Sequence, residues 1–183
     1  MPQRRSDAHR VSRLVAFSGM AAALSCVLML LSGVIPIMTY AGPLMAGVLL
    51  LPVLLEFGKK PAWMTWAVTA VIVLLLDADR EAALWYLLMG YYPIIVWQLN
   101  RIRSRVARVA VKLAYFALVI ALLYGVLALL LNMKAMLAEF GDMGPIMTAA
   151  FFLLMLFCLM LYDRLLLPLC LLYQNRLRPR LKL

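Results

Sequence analysis

The charged residues of this chain come in clusters separated by long hydrophobic runs, and the clusters alternate in sign. In order they are Arg4, Arg5, Arg10 and Arg13; then Lys59 and Lys60; then Asp77, Asp79 and Glu81; then Arg101 through Lys112; then Glu139 and Asp142; and finally Arg176, Arg178, Arg180 and Lys182. A bilayer sorts loops by Lys and Arg and keeps the basic ones in the cytoplasm. With the N-terminus inside, the gaps between clusters are filled by six crossings. Every Lys and Arg then falls at a cytoplasmic end except Arg80 and Lys134. The expected fold is an all-α integral membrane protein, a six-transmembrane-helix bundle with both termini in the cytoplasm.

Composition agrees with that frame. Hydrophobic residues make up 67% of the chain, and the mean hydropathy is +0.97, outside the range of soluble domains. At 183 residues the chain fits a single transmembrane domain, since no loop has room for a second one. In a soluble protein a net charge of +10 would point to nucleic acid. Here the excess is topogenic and faces anionic headgroups, so the partner it implies is the lipid bilayer and not nucleic acid. The apolar run from Leu14 to Met38 exceeds the roughly 7 to 15 residues of a signal-peptide core, and is expected to stay as the first helix. Cys26, Cys158 and Cys170 sit inside apolar runs and are read as packing residues.

The expected spans are about 14–35, 44–57, 61–76, 82–100, 109–131 and 146–173. The second and third are short against the roughly 20 residues that a crossing needs. They fit either two crossings or a re-entrant hairpin. The charge pattern favours two crossings, because a hairpin would put the acidic Asp77–Glu81 loop on the same side as Lys59 and Lys60. No internal repeat is visible, unlike the inverted repeats common among secondary transporters.

Two features stand out as carriers of function. The first span holds a run of small residues from Ser18 to Ser25, with Gly19 and Ala23 four apart on one helix face. Small residues let another helix backbone approach closely, either within the bundle or on a partner protein. The second feature is the stretch from Asp77 to Pro93. It begins in a charged outer loop and enters a helix bearing Trp85, Tyr86, Tyr91 and Tyr92. The helix is interrupted at Gly90 to Pro93, about 15 Å in at 1.5 Å per residue. Proline leaves a carbonyl free there. Aromatic walls, tyrosine hydroxyls and a free carbonyl suit a pocket for a small planar ligand. Trp85 and Tyr86 fit an interfacial aromatic belt equally well, and Tyr91 and Tyr92 are either core tyrosines or pocket lining.

Elsewhere the readings are plainer. The segment from Asn132 to Pro145 is an amphipathic connector or a lid over the outer face. Arg101, Arg105, Arg108 and Lys112 share a helical face opposite Ile102, Val106 and Val109, which predicts a helix lying along the inner leaflet. Asp163 and Arg164 are expected to pair locally. The one histidine, His9, precedes the first span, and there is no Walker loop, His-Glu-x-x-His or Gly-x-Ser-x-Gly. Neither an enzyme, a resident cofactor nor a metal site is expected, and nucleotide-driven work would need a partner.

With these residues in view, the chain resembles the substrate-binding (S) component of energy-coupling factor (ECF) transporters, the vitamin-uptake systems of prokaryotes. The similarity lies in size, six spans, the small-residue first helix, Tyr40 to Gly47, Pro52 to Lys59, and Arg80 to Tyr86 leading to Gly90-Tyr-Tyr-Pro93. It implies a multi-pass protein of the prokaryotic cell membrane that binds a small-molecule nutrient with its outer half. It also implies an ECF transmembrane coupling protein and two cytoplasmic ATPase subunits as partners. The family's Ala-x-x-x-Ala contact with the coupling protein corresponds here to Gly19 and Ala23, which keep small size but not identity. The family's capping loop would place Tyr40 over the pocket. The expected substrate-binding set is Tyr40, Arg80, Glu81, Tyr86, Tyr91 and Tyr92. The alternative is a small structural or scaffolding membrane protein, MreD-like, with no ligand.

Overall fold

A computed structural model of the chain describes residues 3–35, 38–76, 79–130 and 144–177. Asp77, Lys134, Glu139, Asp142, Arg178, Arg180 and Lys182 lie outside the described residues, as does nearly all of the connector read as a lid. The helices are α1 (Gln3–Ser32), α2 (Met38–Val48), α3 (Leu50–Phe57), α4 (Lys59–Leu76), α5 (Arg80–Met89), α6 (Tyr92–Leu99), α7 (Arg105–Leu130) and α8 (Gly144–Leu172), the last running into a π-helical turn over Tyr173–Leu177. No strand occurs among the described residues.

Six segments are long and apolar enough to cross a membrane: Arg10–Ser32, Met38–Phe57, Lys59–Leu76, Arg80–Leu99, Arg105–Leu127 and Gly144–Arg176. They mark a multi-pass membrane protein. The second and third segments are 20 and 18 residues long, longer than the expected 44–57 and 61–76. The second starts at Met38 because Thr39 to Pro43, expected as an outer connection, is helical. Pro43 lies inside α2, where it forfeits its bond to the carbonyl four residues back without ending the helix.

Two of the six segments are broken, and proline accounts for both breaks. A proline ring clashes with the carbonyl four residues earlier and cannot donate to it. The residue four before Pro52 is Val48, where α2 ends; the residue four before Pro93 is Met89, where α5 ends. Each proline then sits in the first turn of the next helix, where a missing N–H costs nothing. Between α3 and α4 the chain reverses at Gly58, whose φ of 90° is a conformation that glycine adopts without strain.

Contacts group the described residues into two compact units, residues 1–95 and 96–183. In the first, α1 packs on α2 and α4, while α5 packs on α2 and α4. Its core is Met29, Ala46, Ala70, Val73, Ala82, Ala83 and Tyr86, with Cys26, Trp66 and Leu87 against it. Alanine at four of those seven positions lets the helix axes approach closely, the packing that holds helices together in lipid. The inward stripe of α1 is Ala21, Ser25, Met29 and Ser32, at helical spacing, whereas Met20, Leu24, Val27 and Leu31 point outward. An exposed apolar face of this kind is what lipid tails cover.

In the second unit α7 packs on α8, and α8 on the π-helical turn. The junction is a buried ion pair. Lys112 Nζ donates to both oxygens of Asp163, at 2.8 and 2.6 Å, and to Asn100 Oδ1 at 2.7 Å. Lys112 and Asp163 are 5% and 8% exposed. This corrects two expectations. Lys112 does not belong to an outward basic stripe, because its ammonium finds a carboxylate on α8. Asp163 therefore pairs across helices and not with its neighbour Arg164. Arg108 also turns back, donating through Nε and Nη2 to the Ile102 carbonyl at 3.2 and 2.7 Å. That bond closes the turn before α7.

Candidate functional site

The polar groups of the first unit gather where α5 begins. Asp79 precedes α5 in an extended conformation, and its Oδ1 accepts from the backbone N–H groups of Glu81 and Ala82 at 3.0 and 3.2 Å. This is an N-cap, satisfying donors that a helix start leaves unpaired. The other oxygen, Oδ2, accepts from Thr39 Oγ1 at 2.7 Å. One carboxylate thus both starts α5 and fastens the first turn of α2 to it.

That bond sets the two next residues. Tyr40 follows Thr39 on α2, and its ring meets Trp85 of α5 edge-on, centroids 6.1 Å apart. Glu81 lies between them, 8% exposed, with the Tyr40 hydroxyl and the Trp85 indole N–H as its side-chain neighbours. Glu81 Oε1 is buried with no hydrogen bond of good geometry. A buried carboxylate oxygen with unused acceptor capacity is costly, which makes it a ready acceptor for a ligand donor. Arg80 is exposed and stands at the rim.

Deeper in, Tyr86 is fully buried, and its hydroxyl lies beside those of Ser25 and Thr69. Those two are engaged elsewhere: Ser25 donates to the Ala46 carbonyl at 3.2 Å and Thr69 to the Thr65 carbonyl at 2.9 Å. The Tyr86 carbonyl accepts from Gly90 N at 2.7 Å and from Trp66 Nε1 at 3.5 Å. Its ring covers Gly90, where a Cβ would lie 2.5 Å from that carbonyl and 2.8 Å from the ring. Only glycine fits there, so the break that sequence flagged at Gly90 is also a packing requirement.

Tyr91 belongs to another cluster. It stacks on Trp63, centroids 5.4 Å apart and planes at 24°, and meets Trp66 edge-on at 5.2 Å, while Trp63 and Trp66 are themselves 5.3 Å apart. Trp63 is four residues from Lys59 and thirteen from Leu76, about 6 and 20 Å along α4. Tyr92 is fully buried. Of the six expected ligand residues, then, the structure gathers Tyr40, Arg80 and Glu81 at one end. It buries Tyr86 and Tyr92 in packing and puts Tyr91 about 15 Å further along the helix. Thr39, Asp79 and Trp85 join the first group. The Asp79 cap was legible as an acidic residue just before a helix start. The Trp63/Trp66 pair was legible as two aromatics three apart.

The small-residue run on α1 divides as its helical phase requires. Ala21 and Ser25 face inward, whereas Gly19 and Ala23 are exposed, with no atom within 4 Å of a Cβ built at Gly19. Among the described residues no group of three His, Cys, Asp or Glu side chains is close enough to hold a metal ion. Compared with protein families, with curated proteins and with solved structures, the chain matches none.

Proposed function

We propose that this protein is the membrane-embedded substrate-binding subunit of an ECF-type transporter, taking up a vitamin or similar small nutrient without catalysis. The observation that carries the reading is Glu81, a carboxylate buried at the start of a membrane-crossing segment beneath Tyr40 and Trp85, with one oxygen unbonded. Such a group favours a ligand with a positively charged or donor-rich head and a planar body. The exposed Gly19/Ala23 face supports the second half of the proposal, docking of α1 onto a coupling protein that works with two ATPase subunits. In this reading the membrane is the prokaryotic cell membrane, and the Asp79–Glu81 end opens outward.

The test is mass spectrometry of small molecules released from the purified protein. One organic compound should be recovered reproducibly from wild type and depleted at least about tenfold in Glu81→Gln, since a charge-assisted hydrogen bond is worth roughly 1.5–3 kcal/mol. A protein that is reproducibly empty, from cells grown in rich medium, would favour the scaffolding alternative.

A further inference from the structure

Among the described residues of the second unit, a cation stands without a partner. Arg164 is exposed and makes no hydrogen bond or ion pair among the described residues, because the adjacent Asp163 is engaged by Lys112. It sits inside an apolar helix, preceded by Pro145 to Tyr162 and followed by Leu165 to Leu172. The first stretch is about 27 Å long, and so is the run from Lys112 to Leu130 on α7. Both approach the thickness of a hydrocarbon core, about 30 Å. Lys112, Asp163 and Arg164 therefore lie about one core thickness from the far ends of α7 and α8, near a hydrocarbon boundary, from which an arginine side chain can reach towards lipid phosphates.

From Arg164 a groove leads away along α7 and α8. A hollow of about 480 Å³ is lined by Leu113, Leu156, Phe157, Met160 and Arg164 among others. A second, of about 370 Å³, is lined by Ala117, Ala121, Tyr124, Phe152 and Leu156 among others. The two share Leu153 and Leu156, so they adjoin along α8. From Phe152 to Arg164 the groove extends about 18 Å, close to the roughly 15 Å of one leaflet. Leu153, Phe157 and Leu161 along it are exposed.

We infer that this groove is a binding site for an anionic glycerophospholipid, with the phosphate on Arg164 and one acyl chain between α7 and α8. Charge decides the occupant. The groove wall is apolar, and an arginine at the hydrocarbon boundary needs an anion. The guanidinium fork matches a phosphate in two hydrogen bonds. The site is separate from the Glu81 cluster and does not depend on it.

The experiment uses the full-length protein in nanodiscs of mixed phosphatidylglycerol and phosphatidylcholine with matched chains, ejected intact for native mass spectrometry. Wild type should retain phosphatidylglycerol over phosphatidylcholine by about fivefold, the selectivity expected of one basic residue near the surface. Arg164→Gln should remove that preference. Leu153→Trp, at an exposed position that spares the fold, should reduce retention of both lipids. Inorganic phosphate and glycerol 3-phosphate should fail to displace the lipid. Equal retention of the two lipids by wild type, an unchanged preference in Arg164→Gln, or full retention in Leu153→Trp would overturn the proposal. Displacement by phosphate alone would also overturn it, showing a site for a free anion.

Discussion

Leucine at both Gly19 and Ala23 will abolish uptake while leaving bound ligand in place. Both residues are exposed, and a side chain at Gly19 meets nothing within 4 Å. The substitutions therefore disturb no contact inside the first unit, and stability should move by no more than about 0.5 kcal/mol. Two isobutyl groups on one face would hold a partner backbone away by several ångströms, removing the close approach that small residues permit. The Glu81 group, the proposed ligand site, is on other helices and is untouched. Uptake by cells should fall to background, and the small molecule recovered from the purified double variant should match wild type. Normal uptake would refute the coupling role; loss of both ligand and uptake would mean that the face is structural.

The largest effect on stability is expected at Lys112. Replacing it by methionine keeps the bulk and the apolar stem but leaves Asp163 buried, with Asn100 no longer bridged to it. Removing one partner of a buried pair typically costs about 3–5 kcal/mol, whereas replacing both by apolar residues of similar volume is often neutral or better. Lys112→Met should lower the unfolding temperature in detergent by many degrees, and Lys112→Met with Asp163→Leu should recover most of the loss. A double variant as unstable as the single one would show that the pair does more than satisfy its own charges.

These two sites differ in how they could be read in advance. Gly19 and Ala23 are neighbours on one helix, so a spacing of four exposes their shared face directly. Lys112 and Asp163 are 51 residues apart. Local periodicity placed Lys112 with the other basic residues, and only the pairing of α7 with α8 turned it inward. The same limit applies to the aromatic residues. Reading along the helix from Arg80 leaves Tyr91 as either a core tyrosine or pocket lining, and Tyr40 joins the expected set only through the capping loop that the resemblance implies. Tyr91's true neighbours, Trp63 and Trp66, come from α4, which packs on α5. Span positions were more accessible, since bilayer thickness and the Lys/Arg distribution constrain them with no tertiary information. Most boundaries moved by no more than four residues; the largest shift, from 44 back to Met38, arises because Pro43 is tolerated within a helix.

In the proposed function, the Asp79–Glu81 end of the first unit opens outward and receives the ligand, in a chain that crosses the membrane six times. This arrangement is tested most directly by single cysteines at Ala78 and Ser104, in a background with Cys26, Cys158 and Cys170 replaced, exposed to a membrane-impermeant maleimide on intact cells. Labelling at Ala78 from outside, with Ser104 reacting only after the cells are opened, is the predicted result. An Ala78 cysteine that reacts only from inside would contradict it.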